Sequence, residues 1–290
     1  MDGHLKNGYA RECGHGVATQ LRVVPNMMEE NTMKTLARFL MFGACLFGSL
    51  AIAEEKPKMK MDTMAAKKQM MVPENMAAAK KAMMGEKSML PGMVAKEMVH
   101  QEAAHDEATM KMIEESSMMA DSDDKMMISD DHISMAGMKM MEEPTSMQML
   151  FQELVARHIA SKKMAAMMKA DPKMATMAGG EMKKMVMDKE AMMGAKKEML
   201  SSEESAMMMA REELIQSLML DKEVMAMVEK ESMMQEGPKM APMMSADKLK
   251  MTGEMMVKDK AKAKGMLQES MMRKMSGDKA MMMKEKMKKK

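Results

Sequence analysis

The sequence predicts an all-α protein of loosely packed, methionine-rich helices joined by disordered or low-complexity segments, and three observations carry that prediction. Met, Lys, Ala and Glu dominate the chain, and these, like Leu, are strong helix formers. No segment alternates apolar and polar residues as a half-buried strand does. Methionine supplies 61 of the 290 residues, against no Trp, one Tyr and four Phe. Rings provide the largest buried areas and Met is the least rigid filler, so a core of this composition is expected to be weakly specified.

Residues 1–32 carry four acidic and three basic residues before Lys34, a poor leader for export, and read as an extension produced by a start placed too far upstream. His4, Cys13 and His15 fall there and are not read as ligands. Residues 33–53, MKTLARFLMFGACLFGSLAIA, have the parts of a signal peptide: basic Lys34 and Arg38, an apolar stretch from Phe39 to Ile52, and small residues at Ala51 and Ala53. Cleavage leaves Glu54 as the mature N-terminus, in the periplasm or outside the cell. The alternative is an anchor in the inner membrane through residues 36–53, but the uninterrupted run from Phe39 is 15 residues long. A bilayer core requires roughly 20. Cleavage also removes Cys13 and Cys45, the two cysteines, which excludes a disulfide scaffold and thiolate metal sites from the mature chain.

From Glu54 onward 40 basic residues face 39 acidic ones, a balance that argues against nucleic acid as a partner. The charge is unevenly placed. Gln101 to Glu143 holds twelve acidic and three basic residues, and Pro238 to Lys290 holds six acidic and fifteen basic, so the two stretches are expected to attract.

Region 54–143 begins Lys/Ala/Met-rich, with Pro57, Pro73 and Pro91 breaking it into short helices, and then turns acidic. Its Asp121 to Asp124 and Ser129 to Asp131 are turn or cap chemistry, and this is the stretch expected to be most flexible. Region 144–237 is the expected helical core. One helix runs from Pro144, with Thr145 and Gln148 at capping-box spacing, to Asp171-Pro172, and Leu150, Phe151, Leu154, His158 and Ile159 form its apolar face. A second runs from Ser201, with Glu204 three residues on, to Gly237-Pro238, and places Leu214, Leu218 and Met225 on one side. The two align at Glu153-Leu154-Val155 and Glu213-Leu214-Ile215. An Asp followed by Lys or Pro and then by methionines recurs at Asp124, Asp171, Asp188, Asp221, Asp247 and Asp278, too irregularly for a solenoid. Region 238–290 is a basic Met/Lys-rich tail, expected to be solvated and fraying because Gly265 and Gly277 interrupt it; resting on an anionic membrane surface is the alternative.

The chain has no GxSxG, no HExxH and no phosphate-cradling glycine loop, and its many acidic residues read as solvated charge, so no enzyme is expected. What rises above background is methionine in clusters. Thioether sulfur is a soft ligand suited to Cu(I) and its relative Ag(I), and residues three or four apart on a helix share a face. The candidate ligands are Met135, Met138 and Met140 with His132, then Met164 with Met167, then Met182 with Met185. Many weak sites of two or three sulfurs suit a metal buffer better than a single tight site. In texture the chain is similar to methionine-rich periplasmic proteins that handle copper and silver, which implies transient metal binding in the envelope, although no Met-His pentad recurs. The competing expectation is that methionine is packing filler or an oxidant sink in a structural envelope protein, with self-association open to either. Runs such as Met207 to Met209 wrap around a helix and cannot all face one core or one ion. His100 and His105 point apart on a helix, and His158 is expected to be a packed or half-exposed neutral imidazole.

Overall fold

Aspartate, serine and proline set where the helices begin. Asp62 opens α1 (Thr63–Met70), its carboxylate accepting the amides of Met64 and Ala65 at 2.9 and 3.2 Å. Proline, whose missing N–H costs nothing in a first turn, starts α2 (Pro73–Met84) and sits second in α3 (Leu90–His105). Asp106 accepts the Thr109 amide in the first turn of α4 (Glu107–Met118), and Ser129 accepts the His132 amide in α5 (Asp130–Glu142). Next come α6 (Pro144–Ala170), α7 (Gly179–Met187), α8 (Lys189–Ser201) behind Asp188, and α9 (Glu203–Leu218). Asp221 opens α10 (Lys222–Gln235), Ser245 precedes α11 (Ala246–Lys258), and Asp259 caps the amides of Ala261 and Lys262 in α12 (Lys260–Lys288). The computed structural model describes residues 61–84, 88–118, 129–170, 179–238 and 240–288, and every element among them is a helix. The extension 1–32, the signal 33–53 and the Asp121–Asp124 stretch lie outside the described residues.

Helix α6 is central, packed against α1, α2, α3, α5 and α10. Its Leu150, Phe151, Leu154, Val155 and Ile159 meet Leu214 and Ile215 of α9 in a first core, so the two aligned segments lie in one interior. A second core, under α7, α8, α9 and α12, is filled by Met182, Met199, Met209, Met271 and their neighbours and, among the described residues, holds no aromatic ring. None of the described helices is long and apolar enough to cross a membrane.

Three expectations are corrected. The helix expected over Ser201–Gly237 is two helices, because after Leu218 the chain turns through Met219 and Leu220 and restarts at the Asp221 cap. The acidic stretch is largely helical where it is described, as α3, α4 and α5. The basic tail is not frayed over its first half: α12 runs unbroken through Gly265 and Gly277 and buries Ala263, Met266, Leu267, Met271 and Met272. A glycine costs a helix interior about 1 kcal/mol, which burial of a single large apolar side chain outweighs. The expected attraction between the acidic and basic stretches has a structural counterpart where α4 packs on α12 and Lys274 reaches Glu114 at 3.2 Å.

Candidate functional site

The predicted ligands are divided by burial. On α5, His132 and Met135 face solvent, Met138 is half-buried and Met140 is in the first core, so the stripe winds from the surface inward. Met164 lies in that core, with Met167 packed at its edge; Met182 lies in the second core, with Met185 at its edge. No core gathers all three clusters. His132 Nδ1 is 3.0 Å from the Ser129 hydroxyl that caps α5, which fixes the ring and turns Nε2 into the nitrogen offered outward. Among the described residues no three His, Cys, Asp or Glu side chains gather as a metal ion would need.

The densest chemistry lies elsewhere, where α3, α6, α9 and α12 meet. Beyond residue 53 the chain has three arginines, Arg157, Arg211 and Arg273, and all three enter one charge cluster. Arg157 donates through Nη1 and Nη2 to the two carboxylate oxygens of Glu212 at 3.0 and 2.5 Å, and through Nη2 to Glu153 at 2.9 Å. Arg273 Nη2 reaches Glu97 and Glu269, each at 2.7 Å, and Lys96 donates to Glu269 at 2.6 Å. Arg211 pairs with Glu153. Lys96 and the three arginines balance Glu97, Glu153, Glu212 and Glu269.

Burial pushes the Glu97 carboxyl up, but Arg273 and Arg157 overcome it and hold it down at about 2. For Glu212 the same opposing burial is overcome by the Arg157 hydrogen bond and charge. Glu269 is held well below the usual range, against burial, by His100 once acid has protonated its ring and by the charges of Lys96 and Arg273. Ionised, fully paired carboxylates are poor general acids, and guanidinium releases no proton near neutrality. The arrangement clamps four helices together.

His100 adjoins the cluster. Ser270 donates its one hydroxyl proton to the Met266 carbonyl, so the 2.9 Å contact with His100 Nδ1 requires the ring to donate there. That leaves the Nε2 lone pair 3.5 Å from Glu269. Burial, then the Arg273 charge, push its pKa down and keep the ring neutral. A cavity of about 440 Å³ between α3, α4 and α12 reaches His100, Gln101, Ser270, Arg273 and Lys274, with Ala103, Met110 and Ile113 as its apolar wall.

Glu97, Glu153, Glu212 and Glu231, expected to be solvated like the other acidic residues, are instead buried. In place of the single apolar face expected of α6, residues 151–157 are buried all round, since the surrounding helices cover its polar side too. The available signal was arginine itself: in a chain that uses lysine almost everywhere, a planar two-pronged donor is reserved for buried carboxylates. His158 is half-buried, and burial pushes its pKa down. Compared with models of protein families, with curated proteins and with solved structures, the chain finds no match.

Proposed function

We propose that the protein is an exported, non-enzymatic helical protein that offers Cu(I) or Ag(I) several weak sites made of surface thioethers. Selective exposure carries the reading. Fourteen of the fifteen exposed large apolar side chains among the described residues are methionine, the other being Leu220. Leucine is as good a helix former, yet Leu90, Leu150, Leu154, Leu214, Leu218, Leu249 and Leu267 are all buried. Filling the core therefore accounts for Met70, Met147 or Met271 but not for Met135, Met193 or Met251. Soft thioether sulfur that stays in water is available to a soft ion.

The test is a titration of the mature protein with Cu(I) against a competing chelator, beside a variant carrying His132→Ala and Met→Leu at 135, 138, 167 and 185. The expected result is uptake of several equivalents by the wild type and fewer by the variant. Equal uptake would remove these residues as ligands. Export is tested separately by N-terminal sequencing of protein from cell envelopes, which should begin at Glu54. The same exposure supports a second reading, in which surface thioethers consume oxidant: a sulfide and a peroxide give a sulfoxide and water, and the sulfoxide is enzymatically reducible.

A further inference from the structure

Burial sorts the methionine pairs in a way spacing cannot. A pair can hold one ion from a single helix when its members are three or four residues apart and both are in solvent. Among the described residues, Met251 and Met255 of α11 are the one such pair with both side chains exposed, at 62% each. Neither belongs to the clusters at 135–140, 164–167 or 182–185.

The orientation of α11 is fixed from its other side. Leu249, Gly253 and Val257 are buried, and a Cβ on Gly253 would stand 3.0 Å from Val99 Cγ2 and 3.8 Å from the Ala95 carbonyl. This close approach to α3 pins the inner face and holds positions 251 and 255 outward. Asp247 and Asp259 occupy the preceding and following positions at four-residue spacing. They supply negative charge near the pair, while Asp259 also caps α12 and Lys248 and Lys258 oppose a cation.

We propose that Met251 and Met255 form a two-thioether site for a monovalent soft cation, Cu(I) or Ag(I), on the outer face of α11. The inference rests on the reading of the protein as a thioether binder and names where the first ion goes. A two-coordinate site fits the low coordination number these ions accept, and neutral sulfur keeps it open at acidic pH.

The experiment uses the full chain labelled with carbon-13 in the methionine methyls, titrated with silver nitrate in chloride-free buffer. M251L and M255L assign the two methyl signals, and because both side chains are exposed, thermal unfolding should show these variants folded. The Met251 and Met255 methyls should shift together within the first equivalent. The double variant should lose first-step affinity by on the order of tenfold or more, the scale on which even outer-shell partners of a metal act. If silver shifts other methyls first and the double variant titrates like the wild type, this site is wrong while thioether binding survives. If no methyl shifts over several equivalents, both fail.

Discussion

Arg157 is 5% exposed and holds Glu212 through two parallel hydrogen bonds, a geometry that a lysine cannot copy. Arg157→Met leaves Glu212 and Glu153 short of their partner inside the protein, and the expected cost is about 3–5 kcal/mol in urea unfolding. The double change Arg157→Met, Glu212→Gln should recover part of that loss, since it removes a stranded charge as well as its mate. Acid should act on the same cluster in two stages. The folded-state pKa of His100 lies below its ordinary value of 6.5, so its contribution is fully present above 6.5 and declines as pH falls below it. Glu97 is lowered from 4.5 to about 2, so its contribution is present above 4.5 and is lost as pH falls toward 2. Unfolding midpoints followed against pH should show a shallow first decline, absent in His100→Gln, and a steeper one below 4.5; a midpoint flat from pH 7 to 3 would contradict the cluster. None of this was legible from spacing, because pattern reading assigns charge to water. A buried ion pair is set by which helices meet, and that is a long-range fact.

Helix starts were more legible than helix ends. The recurring Asp followed by Lys is capping chemistry at Asp188, Asp221 and Asp259, and Asp62, followed by Thr63, caps its helix in the same way. Local hydrogen bonds of this kind are written in adjacent residues, so sequence can display them. The break after Leu218 was missed because Met219 and Leu220 are ordinary helix formers and only the Asp221 cap marks the restart. Asp188 accepts the amides of Glu190 and Ala191 at 3.0 and 3.3 Å, so Asp188→Ala should cost about 1 kcal/mol and speed hydrogen exchange at those two amides. Asp188→Asn should cost little. Glycines give a matched contrast. Gly265 has nothing within 4 Å of an added Cβ, so Gly265→Ala should raise stability by about 0.4–1 kcal/mol. Gly253→Ala meets stiff, β-branched Val99 and should lower it. Equal effects at the two sites would mean that α11 does not press on α3.

Composition alone led to the expectation of a poorly specified interior, and the two cores differ in how far they depend on methionine. Among the described residues the first core sets Phe151 and six leucines beside eight methionines in twenty-six buried residues, whereas the second has seven methionines in sixteen and no ring. Sequence could count the methionines but could not divide them, because which of them face inward depends on how α6 and α12 are surrounded. Oxidation can measure the division. Mild peroxide should convert exposed Met193 and Met251 first, at 71% and 62% exposure, with helical circular dichroism unchanged. Met182, Met199 and Met271 are fully buried and should convert only as the protein opens, since a sulfoxide brings a polar, bulkier group into a site that has no partner for it. Because the second core lacks rigid rings, its methionines should convert before Met98 and Met147 of the first, and helix content should fall as they do. Peptide mapping by mass spectrometry over an oxidation series gives each rate directly. Conversion of Met182 and Met271 as fast as Met193 would show that the second core admits peroxide freely and that only the interior around Phe151 is closely packed.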